Sequence, residues 1–158
     1  MPPPGASSAD FADWVRPHLP ALGRYAARLV GPADRDDVVQ DALERAWRKW
    51  RTYDESRGSA QAWLLAILHD RARRFRTRRR TTSELVEKAE ADHYGDLDLE
   101  RAVAALPTRQ RQAVELHYFV GLDVATTAQV MRCAEGTVKA TLHQARTRLR
   151  IQLGDTDD

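Results

Sequence analysis

Residues 124–153 read VATTAQVMRCAEGTVKATLHQARTRLRIQL. Val138, Leu142, Ala145 and Leu149 recur there at spacings of four, three and four, the period of a helix with one buried face. A shorter helix is expected over 124–131, and Arg132, Cys133 and Ala134 leave only a tight connection between the two. Two helices of this size joined by about three residues predict a helix-turn-helix. Thr137, Lys139, Ala140, His143, Gln144 and Arg146 then lie around the exposed face of the second helix, near the part that enters a major groove. Lys, Gln and Arg can reach base edges there, and Thr137 can hold a phosphate. The same positions also suit a solvent-facing stripe on a core helix, so the rest of the chain has to decide between the two.

Working back toward the N-terminus, Leu99, Val103 and Leu106 mark a helix that stops at Pro107. A second follows over 108–119 with Ala113, Val114, Leu116 and Tyr118, and Gly121 makes a turn. Glycine is scarce at 8 residues and no alternating run of strand length occurs. The pattern predicts an all-α chain. Residues 81–98 hold one Lys and six acids, with Leu85, Val86 and Leu97 as their main apolar content. That composition reads as a flexible acidic linker over 81–97, leaving 98–153 as one helical domain.

The charge changes sign just before the linker. Residues 71–80 hold seven arginines and no acid, at the end of a helix expected from about Gln61 through Trp63, Leu64 and Ile67. A solvated helix would intersperse acids, whereas a run of arginines suits bidentate contacts with phosphate. Residues 52–60 (TYDESRGSA) read as a loop. Residues 34–50 form the clearest amphipathic segment, with Val38, Val39, Ala42, Leu43, Ala46, Trp47 and Trp50 on one stripe. Its acids come early and its bases late, as the helix dipole favours. Trp47, Trp50 and Trp63 are read first as core, although Trp63 and Tyr53 could instead stack on an unpaired base. A further helix starts at Asp10, is broken or kinked by Pro17 and Pro20, and ends at Gly31 and Pro32. Residues 1–9 are expected to be a disordered tail, so the first domain spans 10–80.

Several classes of protein are excluded by composition. With 158 residues, 42% hydrophobic and 30% charged, the chain suits one domain or two small ones and is too apolar to be wholly disordered. No apolar stretch reaches the roughly 18–20 residues that cross a bilayer, and the N-terminus lacks a secretory signal, so a cytoplasmic protein without membrane insertion is expected. The single cysteine, Cys133, cannot form an internal disulfide and is expected to pack as a small buried residue. The five histidines are scattered, and Asp34, Asp36, Asp37, Asp41 and Glu44 have a structural reason to sit at a helix start. No cofactor, metal or enzymatic activity is expected of this chain.

Three segments in order resemble the bacterial extracytoplasmic-function (ECF) class of sigma factors. Asp36-Asp37-Val38-Val39-Gln40-Asp41-Ala42-Leu43 with Ala46-Trp47 resembles the helix that docks on core RNA polymerase. Ala62-Trp63-Leu64 with Ile67 and the arginine run resembles the element that recognises and melts the −10 region. Leu106-Pro107, Ala113-Val114-Glu115-Leu116, Gly121-Leu122 and Gly136-Thr137-Val138-Lys139, ending in Ala145-Arg146 and Leu149-Arg150, resembles the −35-binding helix-turn-helix. The resemblance implies that Asp37, Gln40, Asp41 and Arg45 face polymerase. It places Tyr53, Trp63, Asp70, Arg71, Arg74 and Arg78 near the −10 element, and it implies an anti-sigma partner. Two departures stand out. Asp70 occupies a position where the family often has Asn, and a carboxylate prefers a cytosine amino group. Thr126-Thr127-Ala128 replaces a Glu-Ile-Ala type sequence, which removes an apolar anchor and is expected to loosen that domain.

The rival readings make different demands. A dimeric helix-turn-helix regulator would bind duplex DNA by itself, a protein adaptor would not need arginines 71–80, and a nuclease would depend on a divalent metal.

Overall fold

The computed structural model describes residues 5–82 and 97–154, with 80–82 as backbone only. The chain divides into two compact units, Met1–Glu87 and Lys88–Asp158. Every regular element among the described residues is helical, and none of those helices is long and apolar enough to cross a membrane.

The first unit opens with α1 (Ser8–Val15), two residues earlier than Asp10. Ser7 caps it. The Ser7 hydroxyl accepts from the Asp10 amide at 3.3 Å while the Asp10 carboxylate accepts from the Ser7 amide at 2.8 Å, a reciprocal box that draws part of the expected tail into structure. Pro17 then falls in a 3-10 turn, Arg16–His18, and Pro20 in the first turn of α2 (Leu19–Val30), where a missing N–H costs no helical bond. Gly31, at φ 86°, closes α2. α3 runs Arg35–Lys49 and α4 Ala60–Thr82, so α4 extends two residues into the expected linker. Residues 83–96 of that linker lie outside the described residues.

α2, α3 and α4 pack on one another around Leu22, Tyr25, Val38, Ala42, Ala46, Leu64, Leu65, Leu68 and Ala72, all buried. Beside this core lies an aromatic cluster. Trp14 contacts Tyr53 at 5.3 Å and Trp63 at 5.9 Å between ring centroids, and Phe11 contacts Trp50 at 5.2 Å. Trp47 departs from the expected stripe and is 41% exposed. Positions 38, 42 and 46 continue to Trp50, which takes the buried slot in a 3-10 turn after α3, and Trp47 is left on the flank with one edge against Phe11.

The second unit contains α5 (Leu97–Ala104), α6 (Thr108–Val114), α7 (Val124–Met131) and α8 (Glu135–Gln152). The single helix expected over 108–119 is α6 followed by a wider π-helical turn, Glu115–Val120, which Gly121 ends in the left-handed conformation. Thr127 is fully buried, and its hydroxyl donates to the Asp123 carbonyl at 2.7 Å. The anchor position is therefore filled and its polar atom satisfied, so the loosening expected there does not arise from this residue. In the turn between α7 and α8, Arg132 adopts φ 55°, and Cys133 is half-buried rather than buried, its amide donating to the Ala128 carbonyl at 3.1 Å.

Candidate nucleic-acid interface

α4 starts where the Ser59 hydroxyl accepts from the Ala62 amide at 3.1 Å, and its apolar face keeps the first four turns against α2 and α3. Beyond Ala72 the helix carries mostly arginine. Asp70, Arg73, Arg74, Thr77 and Arg78 fall at i, i+3, i+4, i+7 and i+8, and they border one shallow open groove along the helix. Arg71 and Arg79 pair instead with acids at α3. The Arg71 guanidinium donates to both carboxylate oxygens of Asp41, at 2.6 and 3.1 Å, and Arg79 donates to Asp34 at 2.8 Å. The bond to Asp41 holds the Arg71 guanidinium in its charged form even more firmly than usual.

The loop before α4 is tied down at both ends. Asp54 accepts from the Ser56 amide at 3.0 Å and the Ser56 hydroxyl at 2.7 Å, which keeps its carboxyl below the ordinary range. Tyr53 is 8% exposed, and its hydroxyl donates to the Gly58 carbonyl at 3.3 Å. Burial raises its pKa. Of the two aromatic side chains considered as base platforms, Tyr53 is withdrawn into the core, while Trp63 stays half-buried beside it at 5.4 Å. Tyr53 therefore backs Trp63 and offers no open ring face of its own.

On α3, Asp37, Gln40 and Arg45 are exposed, whereas Asp41 is shared with Arg71. Glu44 is exposed on the same helix, as is Trp47, which the apolar period assigns to the buried stripe. α3 thus presents an exposed strip of mixed charge, acidic toward its start and basic toward its end, with the Trp47 ring on it.

In the second unit the polar face of α8 is open. Thr137, Lys139, Ala140, His143 and Gln144 are exposed, while Val138, Leu142 and Ala145 are buried. Ala134 precedes the helix and supplies no side-chain cap, so the first amides are left for an acceptor outside the chain. Arg146 is half-buried and donates to the Tyr118 hydroxyl at 3.0 Å. Tyr118, which the sequence pattern groups with Ala113, Val114 and Leu116, is 52% exposed, and the π-helical turn carries its ring to the surface beside Arg146 of α8. Arg109 donates to the Met131 carbonyl at 3.0 Å, tying α6 to the end of α7 and so to the turn before α8. Among the described residues no cluster of His, Cys, Asp and Glu could hold a metal ion.

Comparison with known proteins adds a second line of observation. Residues 14–82 match the family described as Sigma-70 region 2, and residues 96–149 match Sigma-70, region 4. The chain is 32% identical over 153 residues to the RNA polymerase sigma-E factor of Streptomyces coelicolor, covering 91% of this chain and 86% of that one. It is 34% identical over 149 residues to the ECF RNA polymerase sigma factor SigL of Mycobacterium tuberculosis, covering 86% and 84%. A solved structure of the sigma factor RpoE in complex with the anti-sigma factor NepR, from Bartonella quintana, is similar at a TM-score of 0.72 and 31% identity, over 92% of this chain and 97% of that one.

Proposed function

The chain belongs to the ECF class of sigma-70 factors, with region 2 in its first unit and region 4 in its second, and from that membership we propose how its residues divide the work. It is an alternative sigma factor that binds core RNA polymerase, recognises −10 and −35 promoter elements and promotes melting. The exposed strip of α3, with Asp37, Gln40 and Arg45, docks on core polymerase. Trp63, Asp70, Arg74 and Arg78, joined by Arg73, hold the −10 element. Thr137, Lys139, Ala140, His143, Gln144 and Arg146 read −35, with Tyr118 beside Arg146. The single observation that carries this division is the groove along α4, which Arg73, Arg74, Thr77 and Arg78 border together with Asp70.

Melting by this chain needs no covalent chemistry. Capturing an unstacked base offsets the few kcal/mol needed to flip it, and the arginine stripe holds the backbone on either side. Asp70 sits where a flipped base would be read and favours a cytosine amino group. The protein works in the cytoplasm, where polymerase and promoters are. An anti-sigma protein restrains it by covering the α3 strip or the DNA faces, a reading supported by the RpoE relative, which was solved with such a partner. The first two units of work, −10 and −35, fall to domains spanning about 10–80 and 98–153.

The test is abortive transcription by bacterial core polymerase on a fragmented genomic library, with and without this protein. Discrete transcripts that require the protein, and that vanish in an Asp37→Ala/Gln40→Ala variant, are expected. Absence of initiation together with failure to co-elute with core polymerase would overturn the reading.

A further inference from the structure

Seven like charges in ten residues repel one another along α4, and the helix has little apolar surface to hold it there. Among the described residues Ala72 is its last buried side chain, with Phe75 and Arg76 half-buried and Arg73, Arg74, Thr77, Arg78 and Arg79 exposed. Apolar packing therefore fixes the roll of the first half of α4 and leaves the second half to something else.

Of the two ion pairs with α3, Arg71–Asp41 falls at the edge of the packed half, beside Ala72, and Arg79–Asp34 falls in the half that packing leaves unfixed. Arg71 and Arg79 are eight residues apart on α4, and Asp41 on α3 lies seven residues after Asp34, the residue that precedes α3, so the two intervals run in opposite senses. Both intervals are close to two turns, so the pairs fasten antiparallel neighbours at two points about 11 Å apart along the axes. The Arg71 pair is bidentate. One member of each pair is well shielded, the Arg71 side chain being 18% exposed and Asp34 14%, which distinguishes them from freely solvated surface pairs.

We infer that Asp34 and Asp41 form a two-point staple on Arg79 and Arg71 that sets the roll of the DNA-binding half of α4, making these four positioning residues that contact neither promoter nor polymerase directly. The inference rests on the proposed division of labour and refines it. Asp41 leaves the polymerase-docking set and Arg71 leaves the −10 set. One consequence is that the helix that docks on polymerase also aims the arginines that hold promoter DNA.

Two measurements test this on the full-length chain. Hydrogen exchange of the free protein reads the staple without polymerase: Asp41→Ala, Asp34→Ala and Arg71→Ala are each expected to speed exchange several-fold over 73–79. Unchanged exchange there overturns the inference and leaves the sigma-factor reading standing. In the holoenzyme, on a promoter fragment recovered by the transcription assay, Arg71→Ala and Asp41→Ala are each expected to lower open-complex formation about fivefold, and the double variant no further. Their slopes of log affinity against log salt should match the unmodified chain, whereas Arg74→Ala should make the slope shallower by about 0.9. Effects that multiply in the double variant, or a slope change for Arg71→Ala equal to that for Arg74→Ala, would show two direct contacts and no staple.

Discussion

Arg132 occupies the left-handed position that ends α7, at φ 55°, where glycine carries no steric cost. Arg132→Gly is expected to stabilise the second unit by about 0.5–1 kcal/mol, seen as a higher thermal midpoint, and a lower one would refute the assignment of strain. Thr127 poses the opposite question. Its hydroxyl donates to a carbonyl that already accepts the Thr127 amide at 3.0 Å, so Thr127→Val strands no partner. That change is expected to be neutral or stabilising by up to about 1 kcal/mol. Asp123 accepts from the Thr126 amide at 2.7 Å, which lowers its pKa from 3.8. A depressed carboxyl contributes stability above its unfolded value and loses it as pH falls through the folded one, so the cap weakens below pH 3.8. Asp123→Asn should keep the cap and flatten that acid limb in an acid unfolding titration. For Asp70, replacement by Asn should relax a preference for cytosine at one −10 position, read by sequencing selected promoters.

Among the elements, α7 and α8 follow the periodicity of the sequence closely, because a buried face and a short connection are local properties. Trp47 and Tyr118 do not. A stripe of apolar residues says that one face of a helix is buried without saying where it ends, and α3 closes on Trp50 while a π-helical turn rotates Tyr118 outward. The union of Arg71 with Asp41 joins residues 30 apart, and no local pattern could have paired them. The candidate site was accordingly legible as a set of segments, and only the fold sorted their side chains into open, buried and shared. The aromatic cluster invites a contrast within one element group. Trp14→Ala, which strips contacts with Phe11, Trp50, Tyr53 and Trp63, should cost about 3 kcal/mol. Trp47→Ala should cost far less stability and weaken capture of core polymerase instead, as measured by co-elution.

For the whole molecule, a net charge of +2 conceals a basic block followed by an acidic one. Binding to promoter DNA should therefore depend on salt far more steeply than the net charge suggests. If Arg73, Arg74 and Arg78 each neutralise a phosphate, replacing all three with Ala should make the salt slope shallower by up to about 2.7.

The indole side chains offer one more use. All four tryptophans, at 14, 47, 50 and 63, belong to the unit Met1–Glu87. The chain therefore carries a built-in optical label confined to one end. Emission from those rings will report melting or quenching in the first unit alone, and the second unit will stay dark to the same signal.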